Sequence, residues 1–281
     1  MSIDVAAAAQ LACLLEVCAP KPGNVSPGQH FGDTRFEHFL ASAAAIGAPF
    51  SEAHERPLGD TIRLAVEATG QWTRSNTNLG MILLMAPVAR AMLLYRRPDL
   101  RGAVREVLNA TTNDDARQTY RAIRMAAPGG LGRVATEDVS RVPTVTLLEA
   151  MQLAANRDGV AREYATGYET TFSTGVPALR DARRAGLPWD EAVVETFLAL
   201  LSVRPDTHII RRAGDELARA VTRRAADAVA AGGVRTEAGR RSLGEMDAFL
   251  RADGNMANPG TTADVTATAI FAFLLNGGWG T

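Results

Sequence analysis

Apolar residues recur at three- and four-residue spacing over 5–18, 36–46, 60–74, 79–95, 100–109, 114–126, 144–170, 176–184, 189–203, 207–231, 236–251 and 262–276. That rhythm predicts a helix for each run. Between them, clusters of Gly, Pro, Asn and Asp break the pattern at 20–34, 75–78, 127–133, 204–206, 232–235 and 253–261. Stretches of alternating β-branched residues are scarce, whereas Ala, Leu and Arg are abundant. With no internal repeat and no low-complexity linker, the pattern predicts an all-α fold: a single multi-helix globular domain over residues 1–281, with functional loops between helices.

Size and charge narrow the function. A chain of 281 residues, 47% hydrophobic, can bury a substantial core. Lys and Arg total 30 against 31 for Asp and Glu, so no overall field draws nucleic acid or an anionic membrane, and only a local basic pocket for a small anion is left open. Cys13 and Cys18 stand five apart on one predicted helix, poorly placed to bridge each other, and read as buried thiols in a reducing compartment. The first residues carry Asp4 and no basic stretch, so they do not read as a secretory signal. The most apolar runs, "LGMILLMAPVARAMLL" and "VTATAIFAFLL", are too short for a membrane span or are broken by Pro87 and Arg90. The expectation is a cytoplasmic protein acting on small molecules.

The loops hold the candidate chemistry. In "NMANPGTTAD", Thr261 is a plausible N-cap with Asp264 three residues on, yet Asn258, Gly260 and Thr262 exceed what a cap needs and stand beside free amides able to bind phosphate. In "RPDTHIIRRAG", Asp206 can cap a helix whose first turns present Thr207, His208, Arg211 and Arg212, a set able to bind a divalent cation and the phosphates it bridges. "RSNTNLG" places Asn76, Thr77 and Asn78 before a very apolar helix, where one asparagine would suffice as a cap. "APGGLGRV" could nest an anion on its amides with Arg133 supplying charge, but it does not follow a strand, so it reads first as a turn. Arg157, Asp158, Arg162 and Glu163 read as an exposed salt-linked face. Glu16 interrupts "ACLLEVCA"; a carboxylate in low dielectric is costly unless paired or used, and Lys21 is its obvious partner. "PKPGNVSPGQHFGD" then offers Lys21, Gly23, Asn24, His30 and Asp33.

Taken together, "LEV…PKPGNV…H..D…F..SA.AI", the Asn-Thr loop, "DTHIIRRAG" and "NPGTTAD" give the chain a resemblance to the triphosphoribosyl-dephospho-CoA synthase family over nearly its whole length. Members from citrate lyase systems carry a Thr-His-Lys-Gly loop where this chain has Thr77, Asn78, Leu79 and Gly80, so the chain looks closer to a divergent branch found in archaea and methylotrophic bacteria. The resemblance implies an all-helical transferase in cofactor biosynthesis, in which a hydroxyl of dephospho-CoA displaces adenine from C1′ of the ATP ribose. It implies carboxylates at an oxocarbenium-like centre, with Mg²⁺ and cationic groups on the triphosphate. By role, the expectation is Glu16 or Asp33 as general base, Asp206 and Asp264 on Mg²⁺, and Lys21, Asn24 and Arg211 on phosphates. His208 and Asn78 are second choices for adenine or ribose, with Gly23, His30, Asn76, Thr77, Asn258, Gly260 and Thr261 lining the substrate site. Two other readings stand beside it. One is a different N-ribosyl transfer or hydrolysis, for example on a pterin-type carrier; the other is a non-catalytic nucleotide-binding helical module. A homodimer is compatible with all three.

Overall fold

Two apolar helices, Leu79–Tyr95 and Gly260–Leu275, are buried along nearly all their length, and the other helices are wrapped around them. The computed structural model describes residues 3–280, and among these no strand is present. In chain order the helices are α1 Val5–Cys18, α2 Phe36–Ala45, α3 Gly47–Ser51, α4 Leu58–Gly70, α5 Leu79–Tyr95, α6 Leu100–Asn109, α7 Asn113–Ala126, α8 Leu147–Ala154, α9 Gly159–Thr166, α10 Val176–Arg184, α11 Trp189–Leu201, α12 Thr207–Ala213, α13 Asp215–Ala230, α14 Glu237–Arg251 and α15 Gly260–Leu275. α15 packs against α1, α5 and α11, and one contiguous apolar core joins them. Among the described residues no single helix is long and apolar enough to cross a membrane.

α5 keeps its helix through Pro87 because a tyrosine from elsewhere makes good the loss. Proline has no N–H to offer the carbonyl four residues back, Leu83. The buried Tyr164 hydroxyl donates to Leu83 O at 2.6 Å, and Tyr168 donates to Leu84 O at 2.7 Å. The same two tyrosines fix α9 and the residues after it against the middle of α5.

Two expected helices are each broken. The run 144–170 divides at Asp158, whose carboxylate caps α9 by accepting from Ala161 N at 3.0 Å, and again at Gly167 with φ +60°. A single π turn, Thr171–Gly175, follows. Glu163, expected on an exposed face, is buried instead and accepts from Thr170 N, Thr171 N and Thr171 Oγ1 at 2.6–3.0 Å, which satisfies the start of that turn. The run 207–231 divides at Gly214, whose φ of +93° no helix sustains. The thiols also differ from expectation: Cys13 is buried, but Cys18 is exposed at the end of α1.

Removing only the Tyr164 hydroxyl leaves the Leu83 carbonyl buried without a donor. Tyr164→Phe is therefore expected to cost about 1–3 kcal/mol, read as a lower midpoint in thermal and denaturant unfolding followed by circular dichroism. Tyr120→Phe, whose hydroxyl donates to Glu137 O in a partly exposed loop, should cost less.

Candidate functional site

The starts of α5, α9, α12 and α15 and the end of α1 converge on one cavity of about 800 Å³. Asp206 makes the central join. Its Oδ1 caps α12 by accepting from His208 N (2.8 Å) and Ile209 N (3.2 Å), while Oδ2 accepts from Thr262 N and Thr262 Oγ1, both at 2.7 Å. Thr207 Oγ1 lies 3.1 Å from Thr261 Oγ1 and accepts from Gly159 N at 2.9 Å, which draws in α9. α15 starts at Gly260 with Pro259 before it, so Thr261 is inside the first turn and not its N-cap. The Asp264 side chain is thereby left out of any capping box.

The opening loop is sewn to the closing one. Asn258 Nδ2 donates to Gly23 O (2.7 Å) and Asn24 Oδ1 (3.1 Å), and Arg251 donates to Asn24 O at 2.6 Å. Gly23 has φ +70°, and a Cβ there would stand 2.8 Å from Leu250, so only glycine fits between the loop and α14. Asn24 and Asn258 both line the cavity, as does His208, whose Nδ1 is 3.1 Å from Asn258 O. A Cβ at Gly260 would come 2.6 Å from that ring nitrogen. Burial lowers the His208 pKa, with Arg211 and Arg212 acting the same way against the opposing pull of Asp206, so the ring is neutral at pH 7.

Three acids here have three environments. Glu16 is buried, with the Lys21 ammonium 3.0 Å from Oε1, and burial raises its pKa against the pull of that cation. Asp206 has both oxygens engaged by protein donors. Asp264 lines the cavity, and no hydrogen bond to its carboxylate is present among the described residues. Burial, then Glu16, Asp206 and Asp158, push its pKa well above the carboxylate range, with Arg211 pulling the other way. It fits only because residue 80 is glycine, since a Cβ there would be 2.0 Å from Asp264 Oδ2.

Arginines occupy other parts of the lining: Arg124, Arg133, Arg157 and Arg211, the last paired with Asp158 at 2.5 Å. Arg133 belongs to a strap, residues 127–146, that crosses from α7 to α8 and walls the cavity. Its base is held by Asp138, which accepts from Val134 N and Ser140 N at 2.7 and 2.9 Å, and by Glu137, which accepts from Thr144 N at 3.1 Å. The stretch read first as a turn is thus part of the site wall.

Several expected residues lie elsewhere. Lys21 is wholly buried; it donates to Glu16 Oε1, to Ala19 O at 3.1 Å and to Glu16 O, so all three of its protons are used and none reaches a phosphate. His30 and Asp33 sit on the exposed far side of Phe31, lining a separate depression of about 450 Å³ with Arg251 and Asn255. There His30 Nδ1 accepts from Phe36 N at 3.2 Å and Asp33 accepts from Thr34 at 3.1 Å. Asp206 stands behind the cavity wall, one hydrogen bond from Thr262. Asn76 caps α5 through Leu79 N at 3.2 Å, Thr77 meets Ser42 at 2.5 Å, and Asn78 Nδ2 donates to Thr69 Oγ1 at 3.2 Å; all three still border the cavity. Glu16, Asn24, His208, Arg211, Asn258, Gly260, Thr261 and Asp264 are brought together. Arg124, Arg157 and Asp158 were not singled out as ligands; the "RDG" break, an N-cap signal, was the cue to Asp158.

Replacing Lys21 by Met should destabilise the fold by about 3–5 kcal/mol, because Glu16 is left as an uncompensated buried charge. Adding Glu16→Gln should recover part of that in urea unfolding. Asp264 carries an opposite signature. Its folded pKa lies above the unfolded value of about 3.9, so its contribution to stability is complete below about pH 4 and is lost as pH climbs through the folded value. Asp264→Asn should match the parent near pH 4 and unfold a few degrees higher at pH 7.5, the gap widening with pH.

The family model described as "CitG: ATP:dephospho-CoA triphosphoribosyl transferase" matches residues 2–281. A Pseudomonas paraeruginosa protein bearing the name 2-(5''-triphosphoribosyl)-3'-dephosphocoenzyme-A synthase is 38% identical over 125 residues, 43% of this chain and 42% of its own length. A Pseudomonas fluorescens protein of the same name is 29% identical over 225 residues, 80% of this chain and 68% of its own. The first two matched relatives are spanned over 42% and 50% of their length, so about half. A crystal structure from Archaeoglobus fulgidus, described as a triphosphoribosyl-dephospho-CoA synthase, superposes with a TM-score of 0.66 at 31% identity, covering 85% of this chain and 99% of that one. The chain belongs to the ATP:dephospho-CoA triphosphoribosyl transferase family.

Proposed function

We propose that the protein transfers the 5-triphosphoribosyl group of ATP to a hydroxyl of 3′-dephospho-CoA or a closely related cofactor precursor, with release of adenine. The observation that carries this reading is a single cavity whose lining holds six carboxylates, Glu16 and Asp264 among them, and four arginines, Arg124, Arg133, Arg157 and Arg211, the last also paired with Asp158. Breaking the C1′–N9 bond builds positive charge on the ribose, which the carboxylates offset, while the arginines neutralise the triphosphate. Glu16, oriented by Lys21, accepts the proton of the attacking hydroxyl; burial brings its pKa up toward that task. His208, Asn24 and Asn258 supply neutral donors and acceptors for adenine and the ribose hydroxyls.

Mg²⁺ enters this reading with the substrate. Among the described residues no three His, Cys, Asp or Glu side chains are grouped as metal ligands, and Asp206 has no oxygen free. The ion is carried by the triphosphate, as MgATP, and screens its charge. A substrate of this kind is consistent with a cytoplasmic enzyme.

Incubation with ATP, Mg²⁺ and dephospho-CoA, followed by mass detection, should give adenine and the ribosylated acceptor together. Adenine without acceptor would mean hydrolysis, and ATP binding without adenine would mean a non-catalytic module. Glu16→Gln should slow turnover about 10²–10⁴-fold with helix content kept. Arg211→Met should raise KM for ATP roughly tenfold to a hundredfold, the weight of a hydrogen bond to a charged group.

A further inference from the structure

Six acidic side chains contribute to the cavity lining: Glu16, Glu137, Asp138, Asp158, Asp215 and Asp264. Five are held by protein donors. Glu16 is held by Lys21, Glu137 by Thr144, Asp138 by Val134 and Ser140, Asp158 by Arg211 and Ala161, and Asp215 by Arg219. Asp264 alone among them has no donor among the described residues. It stands one turn into α15, and glycine at position 80 leaves it the room a Cβ would take.

We propose that Asp264 is the catalytic acid that protonates the departing adenine, a role separate from that of Glu16. The inference rests on the transferase reading above. Adenine leaves C1′ with the electron pair of the C1′–N9 bond, and that pair is stabilised when a ring nitrogen takes a proton. Asp264 gives that proton. The acceptor oxygen bonds to C1′ and its own proton passes to Glu16. The site then holds a protonated Glu16 and an ionised Asp264, and one proton moving from the first to the second restores the starting state. No other reactant is needed. The charges facing Asp264 agree: Glu16 from α1, Asp206 before α12 and Asp158 before α9 favour its protonated form, as does burial, and only Arg211 opposes them. The buried Cys13 thiol, on α1 beside Glu16, stays neutral, its pKa raised mainly by burial.

The test compares two leaving groups. Adenine needs a proton to leave; 4-nitrophenolate in its place on the same triphosphoribosyl group does not. Asp264→Asn is expected to lower adenine release from ATP by about 10²–10⁴-fold and to hold nitrophenolate release within about tenfold of the parent. Its thermal midpoint confirms that it is folded. Gly80→Ala, which crowds Oδ2 without removing it, should show the same selectivity in smaller measure. In the parent, the rate with ATP should fall as pH rises, a limb that the activated substrate lacks. Equal losses on both substrates, or no loss on ATP, would overturn the assignment of Asp264. A parent that releases no adenine with any acceptor would overturn the transferase reading itself, which separates the two failures.

Discussion

Four hydrogen bonds to one buried carboxylate, Asp206, determine how this molecule's working end is put together. Two come from the start of α12 and two from Thr262 in α15. A buried carboxylate is tolerable when amides at helix starts, with their positive end of the dipole, surround it. Once Asp206 is seated, Thr207 meets Thr261, Gly159 meets Thr207, and three helices remote in sequence share one corner. His208, Asn258 and Asp264 take their positions from that corner.

The three acids at this end of the molecule have different neighbours. Glu16 has an ammonium, Asp206 has amides and a hydroxyl, and Asp264 has open space. The same functional group thus meets three different environments, and environment sets how readily each gives up its proton. Lys21 belongs to the first of these and not to the substrate, because each of its protons already has an oxygen.

The long apolar runs were readable where packing and local pattern agree: 5–18, 79–95 and 100–109 match α1, α5 and α6 end for end. α5 survives its proline only through hydroxyls some eighty residues later in the chain, which no local window contains. The breaks at Asp158 and Gly214 were hidden because apolar spacing continues in phase across them, and a single cap or a positive φ decides the matter. For the site, the motifs pointed to residues of the right chemistry but not to their hydrogen-bond accounts. His30 and Asp33 look equivalent to Asn24 in sequence, yet Phe31 turns the loop so that they lie beyond the wall. Arg124 and Arg157 resemble ordinary solvated helix arginines, and only the tertiary arrangement aims them at the cavity.

The strap over residues 127–146 closes its own hydrogen bonds, Asp138 with Val134 and Ser140, Glu137 with Thr144, and Asn113 reaches it from α7 through Pro143 O and Val145 O at 3.0 and 2.9 Å. Its tip has Gly130 and Gly132 at positive φ, and Gly130 lies close to the backbone of Arg211 in α12. A larger residue at position 130 would therefore press on α12, whereas position 132 has open space around it. A change of shape in the strap is thus passed to the helix that presents His208 and Arg211 to the cavity.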